Sequence, residues 1–423
     1  MQTGLRWAMV RAFVLCVALP AVLAAASASA QVPTPAAHVV FVLPDGRPAI
    51  VHPDSGAVTM LATTPQRAAF PSWSPDGARV AYGTFAAAAA RVDVADTRDG
   101  SVRSVYTSPS DAPIYLSWDP SGQVLAMLAV DRDGLALHLI DVASASSRLF
   151  ARGSPFYWSW SRAGDRLLVH RDVLGVGALV GFTGLGDFEV AEPLPDPGVF
   201  QSPALSPSER YLAYATLSSG DVRRVVIAPA GGETRSASAA GESVTREVPH
   251  DGQASFAWHP RRDLLAIQRG VASGFGSISL LDAVTGDLEV VVENGSLAFF
   301  WSPDGGSIAY LTLRVVAPGF DGERQVRTAA APNQGARIAI NVLDVATGLV
   351  REIADFAPTG LFIEQFLPFF DQYARSHRVW SPRSDALVFS VLDDAGTPTI
   401  TRFALDGAVT RLVAGEMPSF NVR

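Results

Sequence analysis

Ionisable and aromatic side chains are densest in one short stretch near the C-terminal end of the chain. It holds a carboxylate, a phenol, two guanidinium groups, an imidazole and two phenyl rings: Phe369, Phe370, Asp371, Tyr373, Arg375, His377 and Arg378. Such groups recognise a ligand or partner when they converge in a cleft. A structural interpretation stays open beside this one, in which the aromatic rings pack on the fold and Asp371 pairs with Arg375 or Arg378.

No catalytic motif accompanies this stretch. The sequence has no Gly-x-Ser-x-Gly elbow, no His-Glu-x-x-His and no glycine-rich phosphate loop, and its seven His are scattered. Residues 130–134 begin like an acidic calcium loop, but the acid required further along is missing. We therefore predict no catalytic residue, no metal site and no cofactor.

Charge and cysteine content exclude further classes of protein. The formal net charge is −8, which makes nucleic acid a poor partner. The single cysteine, Cys16, lies in the leading segment, so the rest of the chain has neither disulfides nor thiolate chemistry.

The leading segment has the pattern of an export signal. Residues 1–30 carry two arginines, then an apolar run, then Ala28-Ser29-Ala30 before Gln31. We expect cleavage near Ala30, a short linker over 31–37, and a periplasmic or extracellular protein with no membrane span after cleavage. An uncleaved anchor is the alternative.

A repeated unit organises the remainder of the chain. Its best copy, Trp73-Ser74-Pro75-Asp76-Gly77, follows an apolar run and precedes alternating apolar residues, which predicts strand, tight turn, strand. The anchor position of this unit is occupied by Trp73, Trp118, Trp160, Leu205, Trp258, Trp301 and Trp380, and by Phe420 at the C-terminal end. Anchors lie about 40 to 50 residues apart, except for a step of 79 residues before Trp380.

This spacing, with almost only strand-like content, predicts a β-propeller of four-stranded blades. Residues 38–423 form the single domain, with loop insertions at 314–335 and 356–378. Seven internal anchors plus a blade shared by the two ends predict eight blades, and seven is the alternative. The insertions follow strands two and four of their blade, so both should rise on one face.

At these repeats the chain resembles the TolB-type family of WD40-like propellers, whose Trp-Ser-Pro-Asp-Gly units form bacterial periplasmic propellers and the propeller domains of some peptidases. The resemblance implies the fold and covers nearly all of residues 38–423. The resemblance does not extend to the separate N-terminal domain of that family or to the hydrolase domain of its peptidase relatives.

The sequence leaves three functions open. The first is a monomeric, non-enzymatic propeller of the cell envelope or exterior that binds or scaffolds a protein or peptide. The second is a lactonase- or lyase-like propeller enzyme with its site at the channel mouth, and the third is a carbohydrate-binding propeller.

Overall fold

The computed structural model describes most of the chain after the leading segment: residues 37–62, 67–154, 156–173, 176–183, 189–194, 202–217, 223–230, 245–250, 254–270, 276–315 and 336–422. The predicted signal peptide and most of the 314–335 insertion lie outside the described residues. Among the described residues, no helix is both long enough and apolar enough to cross a membrane.

The fold is almost entirely antiparallel sheet. Five sheets of the described residues have four strands. The first consists of β1 (Val39–Val42), β2 (Pro48–Val51), β3 (Val58–Met60) and the last strand of the chain, β30 (Glu416–Phe420). The second comprises β4 (Arg67–Trp73), β5 (Arg79–Phe85), β6 (Ala90–Asp96) and β7 (Val102–Ser108), and the third β8 (Ala112–Trp118), β9 (Val124–Asp131), β10 (Gly134–Asp141) and β11 (Ser146–Arg152). The fourth comprises β12 (Phe156–Trp160), β13 (Arg166–Val173), β14 (Val176–Thr183) and β15 (Glu189–Leu194), and the fifth β16 (Ala204–Leu205), β17 (Tyr211–Leu217), β18 (Arg223–Pro229) and β19 (Arg246–His250).

The next sheet has seven strands because one long strand belongs to two four-stranded units. They are β20 (Ala254–Trp258), β21 (Leu264–Gly270), β22 (Gly276–Asp282), β23 (Leu288–Trp301), β24 (Ser307–Val315), β25 (Ala336–Asp344) and β26 (Val350–Phe356). The first half of β23 pairs with β22 and its second half with β24, with a bend at Gly295, whose φ is +85°. The last sheet has three strands, β27 (Ala386–Leu392), β28 (Pro398–Ala404) and β29 (Val409–Ala414).

The predicted hairpin turn is confirmed at atomic level in the Trp73 copy. The Ser74 hydroxyl donates to Asp76 at 2.5 Å and accepts from the Arg79 backbone N–H at 2.9 Å, which closes the turn. Gly77 takes a φ of +71°, a conformation that glycine adopts without steric cost. The copy after Trp301 repeats this pattern with Ser302 and Asp304.

The anchor tryptophans join neighbouring repeats. Five of them donate their indole N–H, at 3.0 to 3.1 Å, to a backbone carbonyl of the neighbouring repeat, and each acceptor lies directly before that repeat's own anchor. The pairs are Trp73 with Ser419, Trp118 with Ser72, Trp258 with Ala204, Trp301 with Ala257 and Trp380 with Phe300. The anchors therefore fix the spacing of the innermost strands.

The two ends of the described chain share one sheet, as predicted. β30 pairs antiparallel with β1, and the His38 backbone N–H donates to the Asn421 side chain at 2.9 Å. On the other side of β30, the Phe420 N–H donates to the Arg378 carbonyl at 2.9 Å. These contacts confirm closure by the terminal strands, while the number of eight blades stays a prediction.

Candidate functional site

The predicted site belongs to a compact segment that we call the plug, residues 357–378. Thr359 caps the helical part of the plug, because its hydroxyl accepts from the Phe362 N–H at 3.2 Å. A π-helix (Phe362–Phe366), a 3₁₀ helix (Leu367–Phe369) and α1 (Phe370–Tyr373) follow without a break. Pro368 lacks an N–H to donate, which agrees with the change of helix type at this point.

Aromatic side chains of the plug pack against strands of several sheets. Phe370 meets Phe299 and Phe300 of β23 edge-on, with ring centroids 5.7 and 5.8 Å apart. Tyr373 meets Tyr115 of β8 at 5.2 Å in the same way. Phe362 packs on Phe389 of β27 at 5.8 Å. Contacts with strands of three different sheets place the plug at the centre of the ring of sheets.

Gln372, which the sequence interpretation missed, connects the plug to further parts of the fold through hydrogen bonds. Its side-chain oxygen accepts from the Trp158 backbone N–H at 3.1 Å and from the Ser202 hydroxyl at 3.3 Å. Its backbone carbonyl accepts from the Tyr115 hydroxyl at 2.7 Å. A glutamine between Asp371 and Tyr373 carries no sequence signal for such a role.

Asp371 and Arg375 form the charged pair of the α1 region. Both are enclosed by surrounding protein, yet part of each side chain stays accessible to solvent. Burial raises the pKa of Asp371, and the Arg375 charge and the backbone N–H groups of Gln372 and Ser202 oppose that rise. Burial lowers the pKa of Arg375, against the charge of Asp371. The two attract each other without forming an ion pair within 4.0 Å, so the predicted pairing is not a direct contact.

His377 and Tyr373 are buried structural groups. The His377 ring forms a hydrogen bond with the Ser376 hydroxyl at 2.8 Å and lies 5.3 Å from the Tyr373 ring. Burial lowers the pKa of His377 to about 4. Burial also raises the pKa of Tyr373, whose hydroxyl accepts from Gln365 at 2.9 Å. Neither group is prepared for acid–base work near neutral pH.

The predicted residues therefore separate into three groups. Phe370, Tyr373 and His377 are buried and hold the plug in place. Asp371 and Arg375 are enclosed but partly accessible to solvent. Phe369 and Arg378 are exposed, with Phe369 at 38% of its possible surface.

A small cavity lies between the plug and the sheets at the two ends of the described chain. It measures about 50 Å³, room for a few water molecules, and aromatic rings such as Phe362, Phe366 and Phe389 dominate its lining. Phe70 and Met417 also line it, and each has a φ of +55° directly before a proline. That conformation costs roughly 1–3 kcal/mol per residue and is held by the packing around it.

Within the described residues, no three His, Asp, Glu or Cys side chains come together in a way that could hold a metal ion. The plug offers hydrogen-bond donors, two carboxylates (Glu364 and Asp371) and aromatic surface. These groups can bind a ligand or partner.

Comparison with known proteins supports the fold alone. No family model and no curated protein matches the sequence. Among solved structures, the chain is similar to the dihydro-heme d1 dehydrogenase NirN in complex with DHE, at a TM-score of 0.55 and 15% identity over 91% of this chain and 74% of that one. It is also similar to the tricorn protease, at a TM-score of 0.51 and 14% identity over 74% of this chain. The chain spans 33% of the length of the tricorn protease.

The comparison with TolB is weaker. The TolB structure from Acinetobacter baumannii matches at a TM-score of 0.38 and 15% identity over 60% of this chain, and the chain spans 63% of its length. The sheets and their topology, together with the more similar structures, establish a β-propeller. Membership of the TolB-type family stays a prediction.

Proposed function

We propose that this chain is an exported β-propeller that binds a protein or peptide on the face that carries the plug. One observation carries the proposal: the plug covers the centre of the ring with the chain's own aromatic residues and leaves Phe369 exposed at its surface. Large aromatic side chains dominate the binding energy of protein interfaces when a partner covers them. Export rests on the sequence pattern of residues 1–30.

The plug favours this function over the two alternatives. An enzyme with its site at the channel mouth needs that mouth open to substrate, whereas here side chains such as Phe366 and Phe370 pack across it. A carbohydrate site is commonly built on exposed aromatic rings. None of the described Trp residues is exposed, because most of them serve as anchors between sheets.

The test is capture of a partner by the purified protein from a cell-envelope extract. We expect Phe369→Ala to lower the affinity for the captured partner at least about tenfold, since an interface aromatic residue contributes roughly 2 kcal/mol or more to binding when buried. Leu349→Ala is the matched control, because Leu349 is 71% exposed in a turn between β25 and β26, away from the plug. If Phe369→Ala leaves the affinity for the partner unchanged, or if Leu349→Ala lowers that affinity equally, the result contradicts the proposal that the partner binds the face that carries the plug.

A further inference from the structure

One repeat lacks the aromatic ring that other repeats place on a neighbouring turn. Leu205 occupies the anchor position of the fifth sheet, between the repeats of Trp160 and Trp258. Where the ring is present, it packs beside the turn of the preceding repeat: the guanidinium carbon of Arg79 lies 5.0 Å from the centroid of the Trp118 ring. A leucine side chain is smaller than an indole ring, so the Leu205 repeat leaves space at that place.

A cleft opens there, which we call the Leu205 cleft. It measures about 340 Å³ and is several times larger than the cavity beside the plug. Trp160, Leu205 and Trp258 line it together with Pro207 and Pro260 of the adjoining turns. Both indole rings are only partly buried, so some of their surface is uncovered. Among the described residues, no further Trp, Tyr or Phe side chain lines the cleft, so none takes the place of the missing ring.

Two further departures from the repeat meet at the Leu205 cleft. Arg162 stands where the Trp73 copy has Pro75, and Glu209 stands where that copy has Gly77. Proline has no backbone N–H, whereas the Arg162 N–H donates to the Glu209 carboxylate at 2.6 Å. Glu209 keeps a φ of +57°, a conformation that glycine adopts without steric cost and glutamate does not. The bond links the two turns beside the cleft and fixes this part of its wall.

The charges of the Leu205 cleft favour a neutral occupant. Its described lining holds one carboxylate, that of Glu209, and one guanidinium, that of Arg162. Burial and the nearby charge of Arg262 lower the pKa of His259, which also lines the cleft, so its imidazole is neutral at pH 7. A lining without net charge gives an ion no advantage, while indole rings and prolines offer favourable contacts to another aromatic ring.

We propose that the Leu205 cleft binds a tryptophan side chain on an uncharged segment of a partner protein. The ring enters the place that a tryptophan of the chain itself fills in other repeats, where it is likewise carried by a polypeptide. The cleft is built by turns that follow innermost strands, whereas the plug leads into one, so the two lie on opposite faces of the propeller. The inference goes beyond the function proposed for the plug face and does not depend on it.

NMR titration of the full chain with N-acetyl-L-tryptophanamide, an uncharged model of tryptophan within a peptide, tests the site. We expect saturable binding with a Kd of about 1 mM, and none with N-acetyl-L-alaninamide, which lacks the ring. The indole N–H signals of Trp160 and Trp258 should shift on binding, and that of Trp380, in another repeat, should not. Free tryptophan, which carries two charges, should bind more weakly than the amide.

Leu205→Trp restores the ring of the repeat and should raise the Kd at least about tenfold, because the cleft is then filled. Six other repeats carry tryptophan at this position, so we expect the variant to fold. Leu205→Phe is the second variant: Phe420 is an anchor in the closing strand, and the smaller ring should raise the Kd about threefold or more. Leu349→Trp adds an indole at a position that is 71% exposed and should leave the Kd unchanged.

Three results would overturn the proposal: equal binding of the tryptophan and alanine compounds, unchanged binding in both Leu205 variants, or tighter binding of free tryptophan than of the amide. The last result would assign the cleft to a free amino acid. Phe369→Ala separates this proposal from the one for the plug face, because it should leave binding of N-acetyl-L-tryptophanamide unchanged.

Discussion

At the scale of the residue, the side chains best suited to chemistry serve mainly to hold the plug. His377 illustrates this, because it is 4% exposed and bonded to the adjacent Ser376. A buried neutral imidazole contributes to stability only while the unfolded chain is neutral at that position as well. The burial that removes His377 from acid–base chemistry therefore makes the protein sensitive to acid.

The pKa of His377 predicts a loss of stability between pH 6.5 and about 4. Its folded value, about 4, lies below the ordinary value of 6.5, so in this window the unfolded state binds a proton that the folded state does not. The contribution is complete above pH 6.5 and falls by up to about 3 kcal/mol as the pH approaches 4. In urea unfolding at a series of pH values, His377→Gln should show a shallower decline than the wild type.

Ser376→Ala is the control for this experiment. It removes the hydroxyl beside the ring but keeps the imidazole and its burial, which is the cause of the lowered pKa. Its stability should therefore decline with pH as steeply as that of the wild type. Equal slopes for His377→Gln and the wild type would show that His377 does not carry the effect. Comparing variants also cancels the contribution of Asp371, whose raised pKa changes stability with pH in the opposite direction.

At the scale of the element, the anchor indoles connect sheets through single hydrogen bonds. Trp73 donates to the Ser419 carbonyl at 3.0 Å in a buried position. The Trp160 indole N–H is also buried but has no acceptor among the described residues. The same residue type at the same repeat position thus occurs with and without its bond, which allows a matched comparison.

We expect Trp73→Phe to destabilise the protein by about 1–3 kcal/mol more than Trp160→Phe. The first change leaves the Ser419 carbonyl without this donor in a buried place, whereas the second removes a donor that has no partner among the described residues. Both lose a similar indole volume, so packing losses largely cancel. Chemical denaturation of the two variants measures the difference, and equal destabilisation would rule out the hydrogen bond as the reason for the anchor.

At the scale of the whole molecule, the sheet shared by β1 and β30 closes the ring. Phe420 is completely buried there and packs with Val39, Phe41 and Val388. Without β30, β1 would lose the strand that pairs with its inner edge, and β27–β29 would lose a strand that packs against them. The final residues of the described chain are therefore part of the core.

Deleting residues 416–423 should abolish the single cooperative unfolding transition, because it removes Phe420 and exposes the edge of β1. A milder change, Phe420→Ala, should cost about 3–5 kcal/mol, as large aromatic-to-alanine changes in cores do. Thermal and urea unfolding of both variants measures these losses.

Val409→Ala is the surface control for these two variants. Val409 lies on β29 and is 53% exposed, so the change should alter stability by less than about 0.5 kcal/mol. A truncated chain that melts like the full-length protein would contradict closure by β30.

The repeat made most of the fold predictable from sequence. Ser-Pro-Asp-Gly turns specify their hairpins by local chemistry, and Phe420 at the anchor position of the C-terminal end was enough to indicate the closing strand. The unbroken β23 was not predicted, because a strand that bends at Gly295 without a turn has no local signature.

The candidate site was predictable in position but not in geometry. The 79-residue step before Trp380 and the dense ionisable and aromatic groups between Phe369 and Arg378 pointed to the plug. Which of its residues are buried depends on contacts with Tyr115, Trp158 and Ser202, far away in the chain. Such contacts follow from closure of the ring and leave no trace in local sequence.

Closure by β30 also sets the order of events during synthesis. Strands β1–β3 leave the ribosome first, yet the strand that covers Val39 arrives only with Phe420. Throughout that interval the nascent chain presents an unpaired β1 edge and uncovered apolar side chains, the features that make folding intermediates prone to aggregate. The route by which this protein matures therefore has to shield its first strands until its last one has been made.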